Sequence, residues 1–460
     1  MDVTSVSPFV LGVDSSTQST KAVLVRADDG RIVDQRAAAH PAGTAVDPRA
    51  WLEAFDSASA GLLDRASAVA VGGQQHGMVG LDAAGEPVFD ALLWNDTRSA
   101  PQARTLIEEM GGAEACAATV GSVLVASFTA TKLRWLRDAE PEAASRVAQV
   151  LLPHDYVSRH VSGEVFTDRG DASGTGYWST AEDRWLPELA ENALGHAVTL
   201  PRVVASHEVA ARVGDLVVGA GTGDNAAAAL GLDLQPGDVV LSIGTSGVAS
   251  AITTTPVTDG SGGVTGFADA TTNFLPLVAT INAARILELQ ARLLGVDHAE
   301  LGRLALAAPP GAHGLTVLPY YDGERTPNRP DASGTWSGLT SSTSREDVAR
   351  AAVEALVCSL ADAVDHLTAA TGVPPRRVLL VGGAAQNDAV RQIAPAVLGR
   401  PITVPSPGEY VARGAARQAA WALSGETTPP AWPEVPSETF DATPTPEVRV
   451  AYAAVRDSVE

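Results

Sequence analysis

A chain of 460 residues, 45% of them hydrophobic, is too long for one ordinary core, and two large domains are the economical reading. Its formal net charge of −22 opposes phosphate backbones and anionic membrane surfaces, which excludes nucleic acid and membrane as partners. Cys116 and Cys358 stand far apart in no C-x-x-C spacing, so neither a disulfide framework nor a zinc site is indicated.

The N-terminus carries Asp2 and no basic n-region before the first apolar run, and no stretch approaches the roughly 18 apolar residues of a membrane span. A cytoplasmic protein is expected. Phe9 to Val13 and Lys21 to Val25 are β-rich runs around the polar loop Asp14-Ser-Ser-Thr-Gln-Ser-Thr20, short enough for a hairpin. Its hydroxyls, Ser16 and Thr17 among them, offer donors to one anion, although turn-forming residues alone account for such a loop. Ala68 to Val71 predicts a strand that opens onto Gly72-Gly-Gln-Gln-His-Gly-Met78, and Leu92 to Arg98 is a second apolar-to-polar exit. Thr131 to Trp135 reads as helix, Pro141 to Val150 as another, and Gln149 to Leu152 as strand-like. Thr167 to Trp178 is too rich in glycine and hydroxyls for a core element and reads as a loop, lining a cleft or lying in solvent.

Val217 begins an apolar run that breaks at Gly219, Gly221 and Gly223 and continues as the alanine-rich helix Asn225 to Leu230, with Asp224 on the turn. Free amides at a helix start hold small polar ligands, whereas an acid there also serves as a simple N-cap. The hairpin pattern recurs roughly 230 residues after the first, as Asp238 to Ile243, Gly244-Thr-Ser-Gly247 and Val248 to Ile252, which suggests two domains of like topology. Helices are expected over Asn282 to Leu294 and Ala299 to Ala308. A long one should begin at Ser344, with Asp347 completing a capping box, and end at Gly372 and Pro374. Arg377 to Val381 is a strand giving way to Gly382 and Gly383, then to a helix from Asp388 to Leu398. A further helix runs from Gly408 to Ala422, and the Pro-rich tail from Thr427 should drape over the surface.

Taken together, two hydroxyl-rich hairpins, Asp14 at the end of the first strand, Asp224 on a glycine turn and a late Gly-Gly helix start suit phosphoryl transfer. With such an acidic chain, the phosphates would be held by backbone amides, hydroxyls and Mg²⁺. The ordered series Gly12-Val-Asp-Ser-Ser-Thr-Gln18, Gly73-Gln-Gln-His-Gly77, Leu93-Trp-Asn-Asp96, Leu152-Pro-His-Asp-Tyr156, Gly223-Asp-Asn-Ala-Ala227, Leu241-Ser-Ile-Gly-Thr-Ser-Gly247, Gly323-Glu-Arg-Thr-Pro327 and Val381-Gly-Gly383 resembles the FGGY carbohydrate kinase family.

The resemblance implies an α/β fold: a two-domain, actin-like (ribonuclease H-like) ATPase architecture with a cleft between the domains. It implies an N-terminal domain over 1–235, a C-terminal nucleotide-binding domain over 236–425 and a tail over 426–460. It also implies ATP and Mg²⁺ as cofactors and a small sugar as substrate. The activity implied is phosphorylation of the terminal hydroxyl of D-xylulose; ribulose, gluconate or glycerol are the alternatives, and a non-catalytic nucleotide-gated relative is the rival from another class. By the same resemblance Asp224 matches the catalytic base and Asp14 the metal-associated carboxylate. Gln75 and His76 match the pair that meets the sugar, with Asn225 on the sugar side and Trp94, Asn95 and Asp96 as weaker candidates there. Ser16 and Thr17, then Gly244, Thr245 and Gly247, match the phosphate turns, and Gly382, Gly383 and Asn387 the adenosine side. A homodimer is usual in such families. Many family members have Met where Gln75 stands and a third glycine where Ala384 stands; the first departure leaves the exact ketose open, since a polar amide can read a different hydroxyl, and the second bears on how closely adenosine approaches the turn.

Overall fold

Apolar runs buried on both faces, Phe9–Ser15 and Ala68–Gly73, centre the first of two large sheets in the computed structural model, which describes residues 7–459. Strands β1 (Phe9–Ser15), β2 (Ser19–Arg26) and β3 (Ile32–Ala39) form an antiparallel meander. Strand β4 (Ala68–Gly73) lies parallel to β1, and β5 (Leu216–Val218) parallel to β4, so the order is β5-β4-β1-β2-β3. Successive side chains of a strand point to opposite faces. Leu11 and Val13 therefore enter one core with Trp51, Phe55 and Tyr156, while Val10 enters another with Ala412, Ala416 and Ala419. The second core lies under the helix Tyr410–Ser424, whose alanines let the backbones come close. A Cβ on Gly12 would run into the carbonyl of Ala412 and the amide of Ala416.

The second sheet repeats the plan. Strands β6 (Asp238–Ile243), β7 (Gly247–Ala251) and β8 (Phe274–Thr280) form the meander; β9 (Arg377–Val381) runs parallel to β6 and β10 (Ile402–Pro405) parallel to β9. β11 (Ser437–Phe440) adds antiparallel to β10. The long helix covers Arg345–Thr371, opened by the expected Ser344–Asp347 capping box and closed by Gly372 in the left-handed conformation.

The chain divides into two interleaved compact units. One holds the described part of Met1–Leu234 with Thr254–Leu275 and Glu409–Glu434; the other holds Gln235–Thr253, Pro276–Gly408 and Val435–Glu460. The linear partition at 235 and 425 thus meets a chain that returns twice to the first unit. The physical reason is that the first sheet's alanine-faced side needs the Tyr410–Ser424 helix as cover. The 426–460 tail differs from a surface drape: it supplies β11 and the helix Pro446–Ser458, which buries Val448 and Tyr452. Pro141–Ala144 is a single helical turn before the strand Gln149–Leu151, shorter than the expected helix. Both cysteines are buried and free. Among the described residues no helix is long and apolar enough to cross a membrane.

Candidate active site

Strand register brings distant residues to one level. Asp14 of β1 pairs with Gly72 of β4 and Ser15 with Gly73; the short strand Thr222–Gly223 pairs with the same two glycines from the other side. All three chains then end together, and Ser16, Gln74 to His76 and Asp224 leave from the carboxyl edge of the sheet. That edge is where open α/β sheets bind ligands.

Asp224 opens the helix Asp224–Gly231, one residue inside the cap position held by Gly223, and its Oδ1 accepts from the Asn225 amide at 2.8 Å. Its side chain keeps partial solvent exposure yet is crowded by protein. Burial, with Asp14 and Asp171 adding negative charge, pushes this carboxyl up to about 8. Asp14 is 4% exposed and accepts a short hydrogen bond from Ser16 Oγ. Burial raises it to about 6, against the opposing pull of Ser16 and Lys21. Lys21 is itself tied to Glu409 at 2.7 Å. Asp14 and Asp224 thus feel one another's charge, and among the described residues neither is paired with an arginine.

Gln75 and His76 are both buried, and the peptide bond joining them is cis. Gln75 Oε1 accepts from Asn225 Nδ2 at 2.7 Å, which ties the two expected sugar-side residues to each other. His76 Nδ1 lies 3.1 Å from Asp171 Oδ1. Its ring packs against Phe128 and Phe267 at centroid distances of 5.7 and 4.9 Å, and Thr129 Oγ1 donates to its carbonyl at 3.1 Å. Gly174 lies so close over the ring that any Cβ there would occupy the same space. Trp94 and Asn95 are exposed, with Trp94 Nε1 donating to Thr17 Oγ1 at 2.9 Å. Asp96 is buried and committed: Oδ2 accepts from Thr44 at 2.8 Å, Oδ1 from Arg98 Nε at 2.8 Å.

The segment 167–178 is a correction to the solvent-loop alternative. From Gly170 to Trp178 every residue is buried, because the polar groups bond to one another and to backbone. It brings Asp168 and Asp171 under the site, and with them His154. None of the three was singled out from sequence, although His154 lies in the quoted Leu152 to Tyr156 motif and two acids inside a glycine-rich stretch were a usable signal.

In the second unit Ser242 of β6 pairs with Val381 of β9, so the Gly244-Thr245 turn and the Gly382-Gly383 turn leave that sheet side by side. Ala284 and Ala283 amides donate to the carbonyls of Gly244 and Thr245 at 2.9 and 3.2 Å, and Gly247 starts β7. Gly382 has φ +95°, a conformation natural to glycine, with the Ile243 carbonyl where a Cβ would go. Asn387 caps the helix Asp388–Leu398 through Oδ1 (Ala389 amide, 2.9 Å) and donates from Nδ2 to the His298 carbonyl at 3.1 Å. A cavity of about 680 Å³ opens beside these turns, lined by Leu287, Gly302, Leu306, Gly383, Ala384 and Asn387 among others. The lining mixes small and apolar residues with polar ones, Glu288, His298, Arg303 and Asp388 among them, as ligand pockets do.

The chain is 48% identical over 435 residues to a xylulose kinase of Streptomyces coelicolor, covering 91% of this chain and 89% of that protein. The solved xylulose kinase structure from Bifidobacterium adolescentis superposes with a TM-score of 0.92 at 45% identity, over 98% of this chain and 100% of that one. At 17% identity the Plasmodium falciparum glycerol kinase with ADP shares the fold alone, with a TM-score of 0.85 over 98% of this chain and 97% of that one. The models for the N-terminal and C-terminal domains of one family match residues 9–231 and 239–423 respectively. A chain matched by both halves and along this length belongs to the FGGY family of carbohydrate kinases.

Proposed function

We propose that this protein is an ATP-dependent kinase of D-xylulose, giving D-xylulose 5-phosphate. The observation that carries the reading is the common level of Asp14, the Gln74–His76 segment and Asp224, fixed by strand register. Asp224 takes the proton of the sugar's terminal hydroxyl while that oxygen forms a bond to the γ-phosphorus, the bond from phosphorus to the β,γ-bridging oxygen breaks, and ADP leaves with the electron pair. Gln75, His76 and Asn225 orient the ketose, with Trp94 and Asn95 at its margin. Gly244, Thr245 and Gly247 hold phosphates, together with the Ser16 and Thr17 turn, and Gly382, Gly383 and Asn387 border the adenosine.

Asp14 fits Mg²⁺, which keeps several of its waters and binds through one or two carboxylates plus substrate phosphates; no larger protein cage is required. When bound, the ion neutralises phosphate charge that this acidic chain would otherwise repel. The test is an ADP-release assay over a panel of ketoses and polyols. D-xylulose should give the highest kcat/KM; a clear preference for ribulose, gluconate or glycerol would overturn the substrate assignment.

A further inference from the structure

Gln75 and His76 do not hold themselves. Beneath them a cluster of acids surrounds one fully buried imidazole. His154, in the helix Pro153–Ser162, places Nε2 3.2 Å from Asp155 Oδ1, 3.4 Å from Asp171 Oδ2 and 3.5 Å from Asp168 Oδ1. Asp168 is occupied elsewhere as well: Oδ2 accepts from Thr222 Oγ1 at 2.6 Å and from the Gly170 amide at 2.9 Å, Oδ1 from the Asp171 amide at 3.0 Å. Asp155 Oδ2 accepts from the Leu152 amide at 2.8 Å. Asp171, fully buried, is the bridge: one oxygen faces His154 and the other faces His76 Nδ1. Thr222 belongs to the strand that delivers Asp224, so the cluster is joined to both sides of the site.

The titratable and polar groups facing this cluster come from every element around it. They are Asp155 from the same helix, Thr167, whose Oγ1 lies 3.4 Å from His154 Nε2, Asp168 and Asp171 from the next turn, Tyr177 beyond it, Gln75 and His76 just after β4, Thr222, and Asp224 from its helix start. Among the described residues, none of Asp155, Asp168 and Asp171 pairs with a lysine or arginine. Three acids out of water beside a single basic ring require that ring to carry the compensating charge. Burial pulls His154 down, but Asp155, Asp168 and Asp171 outweigh it and raise the ring to about 9, while burial also raises Asp155, so the charge on the ring is what opposes protonation of its acid neighbours. Burial raises Asp171, and the charge on His154 draws it back. His154 Nδ1 has no hydrogen-bond partner, so the ring acts through Nε2.

We propose that His154 is a positioning residue for the sugar site: its buried positive charge holds Asp171 ionised between the two imidazoles and so selects which nitrogen of His76 carries the proton. With Asp171 ionised, His76 donates from Nδ1 to it, and any contact with a sugar hydroxyl through Nε2 is as acceptor. With Asp171 protonated the direction reverses and Nε2 becomes the donor. The proposal rests on the reading that Gln75 and His76 meet the sugar.

His154→Gln keeps an amide donor near the place of Nε2 and removes the charge. Asp171 then binds its proton more tightly, so the acid limb of D-xylulose affinity, titrated without ATP so that the Asp224 limb of turnover does not enter, should move to higher pH by about one unit. KM should rise about tenfold while kcat changes far less. An acid limb that stays in place, with kcat and KM merely scaled, leaves His154 a packing residue and overturns the proposal. Imidazole ¹⁵N spectra of the unaltered enzyme test it without relying on the variant's folding. His154 should carry protons on both nitrogens at pH 7 and His76 on Nδ1; a neutral His154 ring sinks the idea. Should saturating D-xylulose leave the His76 signals unmoved, the sugar-site reading falls and the proposal with it. Should they move while His154→Gln leaves the limb unshifted, the proposal alone is overturned.

Discussion

Asp224 carries opposing demands. To accept a proton it must be ionised, yet burial and its acidic neighbours raise it from 3.8 to about 8. The kcat/KM for the sugar should therefore climb with pH through about 8, and a rate profile flat from pH 6 to 9 would contradict the role. The same shift sets a stability slope. The folded chain keeps a proton that the unfolded chain has released above its own lower value, so this residue's contribution weakens as pH rises through the folded value. Asp224→Asn should lower kcat by roughly 10²- to 10⁴-fold with ATP affinity nearly unchanged, and raise the melting temperature at pH 8 by about 2–4 °C. A calorimetric scan and a turnover assay on one preparation check both. That Asp224, Asp14, Gln75 and His76 leave strand ends was readable in the sequence, because each follows an apolar run. Asp171 and His154 were not readable, because their meaning lies in which ring nitrogen meets which carboxylate across 95 or fewer residues of intervening chain. Asp96 sits in a motif of the same kind and spends its oxygens on Thr44 and Arg98.

At the scale of elements, backbone contacts decide more than side chains. Gly12 lies where β1 meets the Tyr410–Ser424 helix, and a methyl group there must displace one of the two backbones. Gly12→Ala should cost about 1–3 kcal/mol, read by denaturant unfolding, and should also lower kcat, since Asp14 follows two residues along the same strand. A neutral result would mean that the helix yields. Regular elements with periodic apolar residues and clear caps were readable: β6, β9 and the helices Arg345–Thr371 and Asp388–Leu398 lie where the pattern put them. The two-residue strand Thr222–Gly223 was not, although it places Asp224. Its pairing with β4 is tertiary, and a strand that short leaves no period to detect. The helix Pro446–Ser458 was hidden for another reason: prolines around it read as tail, yet Pro446 stands in the first helical turn, where proline is tolerated.

For the whole molecule, the chain end is part of the second unit's core. Arg449 and Arg456 both reach Asp362 in the long helix, at 3.1 and 2.6 Å, and Arg329 donates to the Arg456 carbonyl at 2.7 Å. Replacing both arginines by alanine leaves Asp362, 8% exposed, without its counter-charges. We expect a loss of about 3 kcal/mol in unfolding free energy with KM for the sugar unchanged, because none of these residues belongs to the unit that holds Asp224. The like topology of the two sheets was legible from a hairpin repeated once; the interleaving was not, since nothing in the alanine pattern of residues 410–424 says which sheet it covers.

That interleaving has a consequence for how the protein is made. On the ribosome the strands around Val10, Ala68 and Val217 emerge early, but the alanines that seal them are translated nearly two hundred residues afterwards. At ordinary elongation rates the gap is on the order of ten seconds. Throughout it a nascent apolar face stays uncovered, and holdase chaperones would find their substrate there.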